Sequence, residues 1–502
     1  STDVVTTTYS ANPYTVSYFY DVGDRLRSTT YPSQSGGEQV SVGYNQQGMG
    51  LPSSLSSSIE PTVYPVLSTE YNERGQLSSI EQGPNSPTTN RLVTSYQYNI
   101  RGWLTNTLAT ANGGNDRLLN LSMSYYLNGN VSSLSNQNIS NPSTSNPTYT
   151  NTYQYDWLNR VSSASSTSTQ IGSLFPQEEY TFDNLSRMTT RTIGGTGGTG
   201  GTVYEYKYGD PAHVDAPTQY GANSYSYDAV GNQTAGTVKG VSQSRSVDSE
   251  NRVSSIVTGT TTLSFIYDGN GKRLVQSVTQ GQSTVRILYV GNLYEETVSD
   301  PAPNKPYIVY YILGQKLVGE RKGNYQAGNG QYRIVGDMLG STTLIVDTAS
   351  PPQVVYRAYY KPYGEVAFSW GMSQTSVGYT GQRLDTDSGL MYYGARYYDP
   401  ALSYFISADP TVPDAGNLKD YNKYLYVRGN PMRYLDSLGY GPEDYYIFVQ
   451  GCISGEGKCE RNSPDDWGEY GQYLYQQWLG WMGWDTDAEI EEQFMSGNLQ
   501  KS

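Results

Sequence analysis

Tyr267-Asp268-Gly269-Asn270-Gly271-Lys272-Arg273-Leu274 reads as a β-strand that enters a tight turn and leaves as the next strand. Asp opens the turn because its carboxylate can accept hydrogen bonds from backbone amides two residues on, and Gly supplies a positive φ. The same pattern recurs along the chain. It stands at Tyr20-Asp21 with Arg25-Leu26, Tyr71-Asn72 with Gly75-Gln76-Leu77, and Tyr98-Asn99 with Gly102-Trp103-Leu104. It returns at Tyr155-Asp156 with Asn159-Arg160-Val161, Phe182-Asp183 with Arg187-Met188, and Tyr227-Asp228 with Gly231-Asn232. Positions 45, 72 and 99 are 27 apart, as are 156 and 183, whereas 228, 248 and 268 are 20 apart. A period of this size is the signature of a repeat architecture.

Tyr-x-Tyr alternation before each turn places aromatics on one face at the strand period of two. Ser and Thr fill the other face, as suits a sheet with one solvated side. No single hairpin buries its apolar face, so the units must stack into a continuous antiparallel sheet. The expected class is therefore all-β. Composition agrees: 50 of 502 residues are Tyr and 54 are Gly, while hydrophobics are 36% and charged residues 16%. Such a sheet is held by tyrosine ladders, each hydroxyl finding a partner on a neighbouring strand.

A net charge of −14 argues against a nucleic-acid surface, which needs clustered Lys and Arg. No apolar run approaches the ~20 residues of a membrane span. The chain opens at Ser1 without Met or a signal sequence, which is the expectation for a processed product. With few Lys, many Ser, Thr and Tyr, and a Cys pair, it reads as secreted or cell-surface. Gly194 to Gly201 is a flexible tip, not a phosphate cradle, because the strand Val203-Tyr204-Glu205-Tyr206 follows where a helix would be needed. The single histidine, His213, falls in a repeat insert as a turn or surface residue, and no metal site or cofactor is expected.

Residues 1–330 carry the hairpins; from about 331 the character changes. Tyr332-Arg333-Ile334-Val335-Gly336-Asp337 leads through Tyr363-Gly364-Glu365 to Tyr379-Thr380-Gly381-Gln382-Arg383-Leu384-Asp385. Gly389 to Pro400, Phe405-Ile406-Ser407-Ala408-Asp409-Pro410, Arg428-Gly429-Asn430-Pro431 and Asp436-Ser437-Leu438-Gly439 follow in order. This series resembles the core domain of the Rhs/YD-repeat family: bacterial Rhs proteins, Tc toxin C subunits and the teneurin shell. It covers roughly 331–439, and the hairpin pattern extends the likeness back to about residue 15. The resemblance implies a strip wound spirally into a hollow shell, a core domain that plugs one end, and a variable C-terminal segment inside. That segment, here 440–502, is often a toxin freed by aspartyl autoproteolysis.

Carried over residue by residue, the family's cleavage motif falls on Asp436 to Tyr440, with the scissile bond between Gly439 and Tyr440. The partner carboxylate is Asp409, and Arg428 is the cation that holds a carboxylate or polarises the carbonyl. Two neighbouring carboxyls do not ionise together easily, so one can act as acid while the other activates water. Asp414 and Asp420 are spare carboxylates. The sequence departs from the family pattern at Ser437, where Pro is usual, and at Tyr440, where Leu or Met is usual. Losing the rigid Pro bears on positioning of the bond. The plain alternative makes Asp409 and Asp436 turn-capping residues like those of the hairpins.

In 440–502, Trp467, Tyr470, Leu474, Trp478 and Trp481 recur at helical spacing, so a small mixed or helical segment packed on the wall or a partner is expected. Cys452 and Cys459 are expected to form a disulfide closing a Gly-rich loop. The tail holds no histidine, which disfavours a nuclease or metal hydrolase. Two functions stand: a shell around its own C-terminal segment, or a structural, surface or filament protein whose tail mediates assembly. In either case the open sheet edges call for the tail, a partner or self-association. A Tyr-lined surface also suits carbohydrate.

Overall fold

The structure is a computed structural model that describes residues 2–9, 12–45, 50–195, 200–298, 305–410, 421–441 and 443–444. Two long sheets dominate. The first has 18 strands between Thr2 and Ser224, the second 14 between Ser226 and Gly371. Each strand runs antiparallel to the next in sequence, so both sheets are simple meanders. Among the described residues the helical elements are 3-10 turns of three or four residues.

The hairpin has one physical design, best seen at Tyr155 to Val161. Asp156 Oδ1 accepts the amides of Leu158 and Arg160, each at 2.9 Å, and its Oδ2 takes Arg160 Nε at 2.6 Å. Tyr155 then pairs across the turn with Val161, after a register shift that bulges the outgoing strand. The same two-amide grip recurs at Asp183, Asp248 and Asp268. It recurs with an Asn side chain at 72 and 99. A residue in the αL region is required within each turn: Gly75 and Gly102 supply it in two, Asn159 and Ser186 in others.

Tyrosine hydroxyls join one hairpin to its predecessor. Tyr98 donates to Leu77 O at 2.9 Å, Tyr155 to Val131 O at 2.8 Å and Tyr267 to Val253 O at 2.6 Å. Arginines rung the turns together outside: Arg74 reaches Ile100 O, Arg101 reaches Leu127 O, and Arg187 reaches Val214 O. His213 belongs to this series: it stands in a turn, its carbonyl accepting the Ala216 amide, and its Nε2 lies 2.9 Å from Asp228 O of the next turn.

The two sheets pack face to face through one large core rich in tyrosine, including Tyr14, Tyr153, Tyr294, Tyr311 and Tyr363. Polar bonds cross that contact. Glu38, fully buried, takes Arg321 Nη2 at 2.6 Å and Tyr311 OH at 2.7 Å. Tyr14 OH donates to Glu296 at 3.0 Å, and Arg191 bridges Glu178 and Glu365. Burying charge is costly unless it is paired in this way. The second sheet runs unbroken through residue 330, because the strand Gly330–Gly336 pairs with Lys316–Gly323 before it and Thr342–Val346 after it. After Gly371 the chain forms a four-stranded sheet from Arg383 to Phe405. Segment 422–433 then crosses the hairpin turns: Asn422 donates to Ser186 O, Asn430 to Asn159 O and Arg433 to Asn128 O.

Candidate functional site

The site forms where the loop before the strand Tyr397–Asp399 meets the turn after the strand Tyr434–Leu435. Arg396, 5% exposed, is its centre. Nη2 contacts Asp436 Oδ2 at 2.8 Å and Asp409 Oδ2 at 3.0 Å. Nε donates to Gly439 O at 2.6 Å, and Nη1 donates to Lys423 O at 3.0 Å. The guanidinium carbon stands 3.7 Å from the centroid of the Phe405 ring, which fixes its plane.

Asp436 is 2% exposed, and its Oδ1 accepts the amides of Gly439 at 2.7 Å and Tyr440 at 3.0 Å. Burial pushes its carboxyl up to about 6; Arg396 pulls the other way, and Asp409 adds to the rise. Asp409 is also buried, its amide held by Lys423 O at 2.9 Å. The turn fits its cradle closely. Gly439 has φ +78, and a Cβ there would stand 2.7 Å from Tyr393 O and 3.0 Å from Arg396 N. Ala395 N donates to Leu438 O at 3.0 Å, and Gln382 Nε2 donates to Ser437 O at 3.0 Å.

Asp409, Asp436, Gly439 and Tyr440, more than 30 residues apart at the extremes, are thus gathered around one arginine. That arginine is Arg396. Arg428, which the sequence offered for the role, lies with its guanidinium carbon 5.8 Å from the centre of the Tyr434 ring. Arg396 stood in the quoted Gly389 to Pro400 series, but burial between two distant carboxylates is not written in local sequence. Asp414, Asp420, Cys452, Cys459 and the aromatic stripe of the tail lie outside the described residues. Among the described residues no cluster of His, Cys, Asp and Glu is arranged to hold a metal ion.

A tyrosine-rich hairpin meander, closed by a small sheet that presents a buried arginine and two carboxyls to a turn, defines the class as a YD-repeat shell protein. The teneurin YD-shell family model matches residues 53–432, and the chain belongs to that family. Toxin subunit YenC1 of Yersinia entomophaga is 29% identical over 195 residues, 36% of this chain and 19% of the toxin subunit. Salivary gland surface protein 1 of Aedes aegypti is 28% identical over 222 residues, 41% of this chain and 6% of that protein. The chain therefore spans no more than about a fifth of these two relatives. The crystal structure of TcdB2-TccC3 superposes with a TM-score of 0.69 at 21% identity, covering 86% of this chain and 22% of that one. That likeness establishes the fold.

Proposed function

We propose that this chain is the closing part of an exported YD-repeat shell that holds its own C-terminal segment and frees it by one cleavage at Gly439–Tyr440. The observation that carries the reading is the Arg396 Nε bond to Gly439 O, made beside two buried carboxyls. Donation to that carbonyl polarises it and stabilises the oxyanion that forms when water adds. Asp409 takes the proton of the attacking water. Asp436, whose Oδ1 accepts the Tyr440 N–H at 3.0 Å in the uncut chain, gives a proton to that nitrogen once addition of water has made it basic and the C–N bond breaks. The products are a Gly439 carboxyl and a Tyr440 amine, and one molecule cuts once. Similarity to a toxin subunit supports a cargo role for 440–502. Enclosure belongs to the whole shell, of which the matched structure shows a chain about four times as long as this one.

A structural reading is favoured by one feature: Asp436 Oδ1 grips two amides, as the hairpin carboxylates do. In that case the turn is only a closure, and the body serves at a surface or in an assembly. Intact mass separates the two. Autoproteolysis gives a fragment beginning at Tyr440 in the wild type and forms it at least about a hundredfold more slowly in Asp436→Asn, whereas the structural reading leaves both chains whole.

A further inference from the structure

We infer that Gln382 is a positioning residue for the Gly439–Tyr440 bond, doing through a hydrogen bond what a proline at 437 would do through its ring. This rests on the autoproteolytic reading. The turn offers three consecutive carbonyls, and each has its own donor: Gln382 Nε2 on Ser437 O, Ala395 N on Leu438 O, Arg396 Nε on Gly439 O. Two of these donors come from the loop that carries Arg396. Gln382 alone reaches in from a different segment, and it meets the residue that has lost the ring constraint on φ.

Gln382 is well placed to be rigid. Its amide N donates to Tyr379 O at 3.0 Å, and its carbonyl accepts from Gly378 N at 2.8 Å. The preceding Thr380 is tied by its amide to Ser341 Oγ and by its hydroxyl to Tyr393 OH. The following Arg383 is anchored on Glu295 and Tyr310. A side chain fixed on both flanks transmits that order to Ser437. The peptide that follows is then held with its carbonyl on Arg396 and its leaving nitrogen on Asp436. Alignment of this kind is worth large factors in an intramolecular reaction.

The test compares cleavage rates by intact mass in Gln382→Ala, Gln382→Glu and Gln382→Ala/Ser437→Pro full-length chains. Gln382→Ala cuts about tenfold slower than wild type, the size of one neutral hydrogen bond. Gln382→Glu, read as its ratio to wild type at each pH, approaches wild type at about pH 4, where its carboxyl can donate to Ser437 O. The ratio falls as pH rises and a carboxylate faces that oxygen. Adding Ser437→Pro restores the rate lost in Gln382→Ala. A Gln382→Ala chain that cuts at the wild-type rate overturns the inference, as does a Gln382→Glu ratio that does not change with pH. Should the wild type not cut at all, the autoproteolytic reading fails, and the positioning claim is judged separately by amide exchange in an Asp409→Asn background. There Gln382→Ala must speed exchange at Gly439 and Tyr440 about tenfold; unchanged exchange sinks it.

Discussion

At the scale of the residue, Asp436 joins burial to chemistry. Its carboxyl is raised to about 6 because it is removed from water, with Arg396 opposing the rise and Asp409 adding to it. A raised acid holds its proton to a higher pH than usual, so as proton donor to Tyr440 N it is competent below about pH 6 and loses competence above. The first-order cleavage rate is expected to fall roughly tenfold per unit once pH exceeds that value, read by intact mass from pH 5 to 8. A rate that climbs through this window excludes Asp436 as the acid. Asp436→Asn is expected to slow cleavage by at least about a hundredfold, the usual worth of a positioned proton donor. Arg396→Lys is a sharper probe. Lysine keeps the charge but cannot span Gly439 O, Lys423 O and two carboxylates at once. Cleavage is expected to fall about a hundredfold, the loss seen when an oxyanion donor is removed.

At the scale of the element, the hairpin was legible because its cause is local. Asp or Asn, a residue able to take positive φ, and the flanking Tyr all lie within eight positions of one another. The sequence therefore carries the turn chemistry itself. What it hid was the second half of the grip, the amide four residues on and the Arg Nε, since both depend on how the turn closes. Asp156→Ala leaves the Leu158 and Arg160 amides and Arg160 Nε without their shared acceptor, while Arg160 Nη1 keeps Asp183 O and Ser186 Oγ. The expected loss is about 1–3 kcal/mol in urea unfolding. Asp156→Asn keeps an amide-accepting oxygen, as the natural Asn72 and Asn99 do, and is expected to cost less than half as much. Equal losses for the two substitutions would mean that charge, not amide capping, makes the turn.

At the scale of the whole molecule, the candidate site was only partly legible. Asp409 and Asp436 could be named from motif order, but Arg396 could not be preferred over Arg428, because only the folded chain decides which guanidinium is buried between them. The face-to-face contact of the two sheets was hidden for the same reason: Glu38 and Arg321 meet across 283 positions. That packing sets the molecule's response to pH. Burial raises Asp337, Asp399 and Asp436 to about 6 and the fully buried Glu320 to about 8. Unfolded carboxyls titrate near 4, so above that pH the folded chain binds more protons than the unfolded one. The stabilisation from these groups is complete below about pH 4. It is lost as pH rises through 6 for the aspartates and through 8 for Glu320. Glu178 behaves oppositely: burial opposes its ionisation, yet Arg191 and Lys361 outweigh burial and lower it, so its contribution is lost only in stronger acid. Between pH 5 and 8 the raised groups decide the sign. Thermal unfolding of uncut Asp409→Asn protein is expected to have its midpoint several degrees higher at pH 5 than at pH 8. Glu320→Gln should remove its share of that slope across the whole range from about pH 4 to 8, leaving little slope between pH 6 and 8 and the share of the aspartates below 6. A midpoint that rises with pH would mean that these carboxyls reach water in the folded chain and that the two sheets do not seal the core between them.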